Sequence, residues 1–508
     1  MSGATMFSKE LGKASGRGDS PKSSDDQNFD FDPETRRNDV DEDLHVPCPP
    51  HTTEKKLMAK IDFRVIPILC ILYLLAFLDR VNISNARIFN LEADLKLLPN
   101  QFNTSLTIFF VPYVLFEIPS NIFLKRLRPH KWLSACMFLF GLATLCQGFV
   151  QNFSGLLATR FFLGLFETGM FPGCFYLIGM WYKRSEAQRR YSFFFSSTTL
   201  AGAFGGLLAA AIGNLTGVRG YSGWRWVFIL EGVLTCLVAF LFYFLIPDFP
   251  EDAKWLTEDE RAYVKARLRK DQGRSAAERQ ITGRDVLAIF KDYKIILGGF
   301  MYFGLIVPAY GYAFFSPTII QTYKYSQIQT QLHSVPPWAC AFGFAMIIAY
   351  LSDKLRHRFL FVVIPICIAI AGFAILLTVH NNTNVQYAAL FLVAMGCYSA
   401  MPVIVCWFNM NLGGHHRRSV GSAWQVSFGN IGGIIATYAF LTKDAPFFKP
   451  GYSICIGFIC LSLVSCCIYL VGIWSTNRRR NKMPVDVGLT EFEKAEMGDR
   501  SPEYRFLL

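Results

Sequence analysis

Charge is what this chain lacks. Only 17% of its 508 residues are Asp, Glu, Lys or Arg and 52% are hydrophobic, whereas soluble domains carry about a quarter charged residues. That balance excludes a soluble enzyme. No CxxC pair occurs among the fourteen cysteines, and all but Cys48 lie in apolar runs, which argues against a disulfide or zinc framework and for small thiols packed in the interior. No Walker A sequence, HExxH or His/Cys cluster is present, so neither ATP-driven pumping nor a cofactor-dependent enzyme is expected. All eight histidines sit at the edges of apolar runs or in the tails, leaving no imidazole relay. The first sixty residues contain no apolar core, so no cleavable signal peptide is expected.

The net charge of +12 suggests nucleic acid at first sight. Residues 1–60, however, hold twelve acids and nine bases, so the remainder carries +15. Much of this lies in short runs beside apolar segments, where positive charge marks the cytoplasmic side of a membrane. The bilayer is therefore the expected partner, and nucleic acid is not.

The rest of the chain consists mostly of apolar runs of about 20 residues, each enough to cross a hydrocarbon core of ~30 Å. They fall near 65–88, 103–124, 132–150, 155–178, 191–214, 226–246, 295–318, 335–351, 359–379, 386–408, 419–441 and 453–474. The expected fold is an all-α membrane protein with twelve transmembrane helices, acting as a monomer. Two six-helix halves, 61–246 and 293–474, flank a polar linker, 247–292, and equal halves are what a parallel repeat produces. A disordered tail, 1–60, and a second tail, 475–508, complete the chain. The linker opens on Thr257-Glu-Asp-Glu260, a capping box, and continues as an amphipathic surface helix.

Counting Lys and Arg sets the topology. The turns after spans 2, 4, 8 and 10 carry thirteen, from Lys125, Arg126, Arg128 and Lys131 to Arg417 and Arg418; the opposite turns carry six. Both termini are therefore expected in the cytoplasm. Asn121-Ile-Phe-Leu-Lys125-Arg126 after span 2 and Ala349-Tyr-Leu-Ser-Asp353-Lys354 after span 8 occupy equivalent places. Lys125, Arg126, Asp353, Lys354 and Arg358 are candidate gating residues, with Glu117 at the inner end of span 2. Sequons at Asn82, Asn103, Asn152, Asn214 and Asn381 fall on or near the other side, and the last four are candidate glycosylation sites.

Intramembrane charge is costly and marks function. Asp79, Arg80, Glu117, Arg160, Glu167 and Glu231 all lie in the first half, while spans 7 to 12 hold no charge in their apolar interiors. At 1.5 Å per residue, Arg80 lies ~12 Å below the outer end of span 1, Arg160 ~8 Å deep and Glu167 ~18 Å deep. Arg160, Gly164 and Glu167 share a helix face. Two guanidiniums above two carboxylates suit an anion that travels with protons. A guanidinium grips a carboxylate with two bonds, and an acid in a poorly solvated cavity exchanges its proton nearer neutrality. Arg80 and Arg160 are thus candidate substrate ligands, and Asp79 and Glu167 candidate proton carriers. Static ion pairs holding helices together are the competing structural reading. Tyr73, Tyr302, Tyr310, Gln425 and Asn430 are neutral candidates for the substrate site. Glu231 is expected to be structural, paired with an outer-half arginine. Gly202–Gly206 and Gly429–Gly433 have the spacing of close helix approach.

These residues resemble the major facilitator superfamily, and within it the fungal allantoate/nicotinate permease branch of the anion:cation symporters. The resemblance spans roughly 60–480. It rests on Phe77-Leu-Asp-Arg80-Val-Asn-Ile-Ser84, on Phe109-Phe-Val-Pro-Tyr113 with Glu117-Ile-Pro-Ser-Asn121, and on Arg160-Phe-Phe-Leu-Gly164-Leu-Phe-Glu167. Gly223-Trp-Arg-Trp226 with Glu231-Gly232, and Pro247-Asp-Phe-Pro250 before Ala253-Lys-Trp-Leu-Thr257, complete it. It implies that Arg80 meets the acid group of the substrate and that Asp79 and Glu167 are tied to proton movement. Two positions depart from the pattern. Lys125 stands where many facilitators carry an acid, and Ala201-Gly-Ala-Phe-Gly205-Gly206 lacks the proline of drug/proton antiporters. The expected function is proton-coupled import of a small organic anion, nicotinate-like, vitamin-like or allantoate-like, at the plasma membrane. Efflux or exchange of a fungal secondary metabolite is the alternative; a nutrient sensor would need a larger output domain than these tails supply.

Overall fold

The computed structural model describes residues 47–272, 283–355, 357–413, 415–482, 499, 501–502 and 504–508. Most of the expected amino-terminal tail, the centre of the linker and most of the carboxy-terminal tail lie outside the described residues. The described residues are helical nearly throughout. The elements are α1 (Glu54–Ile88), α2 (Gln101–Arg126), α3 (Pro129–Gln147), α4 (Phe153–Glu167), α5 (Met170–Trp181), α6 (Arg184–Gly213) and α7 (Gly223–Leu245). After the linker helices α8 (Glu258–Gln272) and α9 (Gly283–Phe290) come α10 (Tyr293–Gln321), α11 (Gln327–Leu355), α12 (Arg358–Thr378), α13 (Thr383–Met410), α14 (His415–Ala439) and α15 (Lys449–Arg480).

Nine helical segments among the described residues are long and apolar enough to cross a membrane by length and composition, α4 and α5 counting as one. Helices α2, α3 and α14, also marked as spans by their apolar runs, do not join that set. Helix α1 begins at Glu54 and α15 ends at Arg480, so both extend several residues beyond the apolar stretches. Prolines interrupt α1, α2, α10, α11, α12 and α13 without ending them, as neighbouring helices in apolar surroundings permit.

Packing repeats with the order of the helices. In the first half α1 packs on α6 and α2 on α4; in the second, α10 packs on α14 and α11 on α13. The halves meet along two equivalent seams, α6 on α11 and α14 on α2. Glycines line both. A Cβ added to Gly202 would lie 2.4 Å from the Trp338 ring, and one added to Gly433 would lie 2.3 Å from the Phe110 ring. Small residues therefore set the approach of the halves, as the GxxxG spacing implied.

At the end of the bundle where α1 finishes, hydrogen bonds to neutral acceptors join the halves. Asn103 donates to the Thr437 carbonyl (2.6 Å), and the Thr107 and Thr437 hydroxyls lie 2.7 Å apart. Arg87 donates to Thr442 (3.0 Å) and Gln331 to the Asn85 carbonyl (3.3 Å).

The opposite end is braced within each half. Thr257 and Glu260 make both bonds of the capping box, at 3.1 and 3.3 Å. Lys60 reaches Glu260 at 2.7 Å, and Arg267 of α8 bridges Glu54 and Glu186, so the linker helix is docked on the first half. On the second half, Tyr504–Leu508 forms a strap. Phe506 and Asn477 exchange two bonds (2.9 and 2.8 Å), as do Leu507 and Asn411 (2.7 and 3.0 Å). Trp407 adds a bond to the Leu507 carbonyl (2.9 Å), and the Arg358 N–H one to Leu508 (2.7 Å).

Candidate functional site

Helices α1, α2, α5 and α6 of the first half and α10, α13 and α14 of the second surround a small, tightly lined cavity. Its wall is chiefly aromatic and apolar. Tyr73, Phe77, Tyr113, Phe171 and Phe195 face Tyr302, Tyr310, Tyr398 and Met401, with Thr198 and Asn430 adding polar groups. Arg80 is the one charged residue on this wall among the described residues.

Arg80 is 2% exposed and fully engaged. Its Nε and Nη2 both donate to Glu167 Oε1, at 3.0 and 2.5 Å, and its Nη1 donates to the Tyr310 hydroxyl. The guanidinium also lies 5.0 Å from the ring centres of Phe109 and Tyr113, within cation–π range. This group therefore joins the halves, its carboxylate partner on α4 and its phenol on α10. Glu167 ends α4 where the chain breaks before α5, and its second oxygen has no partner. The approach is close because Gly164 packs on α2: a Cβ there would lie 2.1 Å from the Phe109 carbonyl oxygen.

Asp79 leaves α1 about 100° round from Arg80 and enters a different environment. Thr235 of α7 and Thr144 of α3 approach its carboxyl, yet neither oxygen has a hydrogen-bond partner. Arg160 does not line the cavity. It lies behind α1, donating Nη1 to the Arg80 carbonyl at 3.1 Å, while its Nε and Nη2 are unpartnered. Glu231 was expected beside an arginine; among the described residues none pairs with it, both its oxygens are free, and its charged neighbour is Asp79.

The neutral candidates divide. Tyr73, Tyr302, Tyr310 and Asn430 reach the cavity. Gln425 does not: it accepts from Asn409 (3.2 Å) and donates to the Gly298 carbonyl (3.3 Å), tying α14 to α13 and α10. Among the gating candidates, Asp353 pairs with Arg358 of its own half at 2.9 Å, and Lys354 is exposed. The side chains of Lys125 and Arg126 lie outside the described set. Glu117 is buried near Ser427 of α14 across the halves, without a hydrogen bond. Asn103 is buried with its amide nitrogen bonded to Thr437, which removes it as a glycan acceptor in this conformation. Asn152, Asn214 and Asn381 are exposed.

Phe171, Phe195, Tyr398 and Met401 lie on the wall although the sequence did not single them out, and Phe77 was quoted only within the Phe77–Ser84 motif; an aromatic residue on an apolar helix carries no mark of facing a cavity. Tyr113 was quoted only within the Phe109–Tyr113 motif.

The family model described as Major Facilitator Superfamily matches residues 69–437. The chain belongs to the major facilitator superfamily. It is 31% identical over 471 residues to the MFS-type transporter cnsO of Penicillium expansum, covering 90% of this chain and 91% of that one. It is also 31% identical to the major facilitator-type transporter hxnP of Emericella nidulans, covering 90% and 93%. Among solved structures it superposes on the proton:xylose symporter XylE bound to 6-bromo-6-deoxy-D-glucose with a TM-score of 0.65. Identity there is 14%, over 81% of this chain and 96% of that one. A bacterial homologue of the human lysosomal transporter Spinster, inward-facing and unoccupied, gives 0.60 at 15% identity, over 80% and 96%. As a facilitator the chain is a multi-pass membrane transporter, not an enzyme.

Proposed function

We propose that this facilitator is a proton-coupled symporter of a small organic anion, a nicotinate-, vitamin- or allantoate-like carboxylate, acting as a monomer in the plasma membrane. It would have twelve spans and both termini in the cytoplasm. One observation carries the reading. Arg80, the one cation on the cavity wall among the described residues, is held by one oxygen of a buried carboxylate and one phenol, and both bonds can be exchanged for bonds to an incoming carboxylate.

The chemistry follows from competition for Arg80. With Glu167 ionised the guanidinium is satisfied and an anion has little to gain. A proton on Glu167 removes that partner, and an unpaired buried cation is costly. A substrate carboxylate then takes the planar fork, while the aromatic wall covers the organic part. Loss of substrate returns Arg80 to Glu167, which sheds its proton. Anion and proton thus move together.

The test is uptake by intact cells screened across nicotinate, pantothenate, allantoate, biotin and aromatic acids. Uptake of the true substrate should rise as external pH falls and collapse with a protonophore. Accumulation indifferent to both would overturn the coupling, and net export of the same compound would favour efflux. Normal transport by Arg80→Ala would remove Arg80 from the binding role.

A further inference from the structure

Behind α1, away from the cavity, Asp79 has two buried ionisable neighbours, Arg160 and Glu231, and no hydrogen bond joins it to either. Asp79 and Glu231 present four carboxyl oxygens with no partner, and Arg160 presents two free N–H positions, Nε and Nη2. All three residues are at most 2% exposed. The groups that act on Glu231 and Asp79 come from every side of the site. Asp79 projects from α1, and Arg160 and Glu167 from α4. The α3 side offers the neutral Thr144, with Gln147 one turn further on the same helix, and α7 contributes Thr235. The Thr235 hydroxyl and both polar atoms of the Gln147 amide are buried and unpartnered as well.

Charge counting decides what this space holds. Arg80 and Glu167 form a neutral pair. Arg160 neutralises one of the two remaining acids, and the other would leave a net negative charge in a poorly solvated interior, at a cost of several kcal/mol per unpaired ion. Two neighbouring carboxyls in such a place do not both ionise. We propose that Asp79 and Glu231 share a single proton against Arg160, a proton-binding site on a different face of α1 from the substrate cavity. The proton belongs to the pair and not to either residue. The site is tightly enclosed on one side: a Cβ on Gly232 would lie 2.4 Å from the Leu145 nitrogen, so α3 and α7 are in backbone contact. It is joined to the cavity through one bond, from Arg160 to the carbonyl of Arg80. Glu231 is therefore a positioning residue. It holds the proton that lets Asp79 lie beside Arg160, and through that bond it sets the place of Arg80. The inference rests on the symport reading for its purpose but not for its test.

The test is infrared spectroscopy of the full-length protein in lipid vesicles at neutral pH, without substrate, reading the C=O stretch of protonated carboxyls. Glu231→Gln should remove the signal of one carboxyl. Asp79→Asn should remove one as well, because the acid that remains pairs with Arg160 and ionises. The double variant should lose no more than either single variant. An unchanged band in Glu231→Gln overturns the proposal, as does a double variant that loses two carboxyls, since each acid would then hold its own proton. Sodium replacing the proton in the wild-type band also overturns it. The amide band reports folding in each variant, and Asp79→Asn stands as an independent measurement if Glu231→Gln does not fold. Uptake that ignores pH would defeat the symport reading and leave this spectrum untouched.

Discussion

At the scale of single residues, Arg80 is where most of the consequences collect. Arg80→Lys keeps the charge but loses the fork. A lost charge-assisted bond costs ~1.5–3 kcal/mol, so the KM for uptake should rise roughly 10- to 150-fold. Tyr310→Phe removes only the phenol that braces Nη1 and should cost about tenfold in KM with kcat little changed. Glu167→Gln should abolish accumulation above the external concentration yet retain exchange of labelled for unlabelled substrate; persistent accumulation would take Glu167 out of the coupling. The meeting of Arg80 with Glu167 was legible because depth along a helix can be counted from sequence. Direction around the helix cannot be counted without the neighbours. Asp79, one residue away, is consequently in a different compartment, Arg160 stands behind α1, and Gln425 bonds helices together instead of facing substrate.

At the scale of elements, close packing and local capping dominate. Gly164→Ala forces a Cβ against the Phe109 carbonyl and must part α2 from α4. It should destabilise the detergent-solubilised protein by about 3 kcal/mol, seen as a lower thermal midpoint. Gly343 of α11 has nothing within 4 Å of an added Cβ, and Gly343→Ala should hold or raise the midpoint by up to ~1 kcal/mol. The linker helix gives a pH signature. Burial pushes the Glu260 carboxyl up, but the bond from Lys60 and the Thr257 N–H outweigh it, leaving the group below the ordinary glutamate range. Its contribution to docking α8 is therefore complete above about pH 4.3 and is lost as pH falls through the lowered value. Hydrogen exchange along α8 should quicken in that acid window, and Glu260→Gln should remove the dependence. The capping box was readable because it is written within four residues. The Tyr504–Leu508 strap was not: its bonds run from an irregular segment to the ends of three helices, α12, α13 and α15, and no periodicity announces them.

At the scale of the whole molecule, ion pairs stay out of the seam between the halves, while single guanidiniums, Arg80 and Arg87, reach across it to hydroxyls. The expectation of two equal halves came from the apolar runs, and the lopsided intramembrane charge from the acids and arginines that interrupt them, since burial in lipid leaves its mark on every residue of a span. The pairing of seams, α6 on α11 and α14 on α2, was foreshadowed only by glycine spacing, which says that something comes close but not what. Among the described residues, no ion pair joins the two halves, and what crosses between them at the end where α1 finishes is hydroxyl, amide and the Arg87 guanidinium, which donates to Thr318 and Thr442.

Electrolyte therefore becomes a diagnostic. Screening weakens exposed ionic attractions over a Debye length of ≈ 8 Å at physiological strength but leaves hydrogen bonds to neutral acceptors nearly untouched. Fluorescent probes placed on the two halves at that end should report the same separation and the same opening rate in dilute and concentrated potassium chloride. A marked acceleration by salt would mean that ion pairs, not these bonds to neutral acceptors, hold the halves together there.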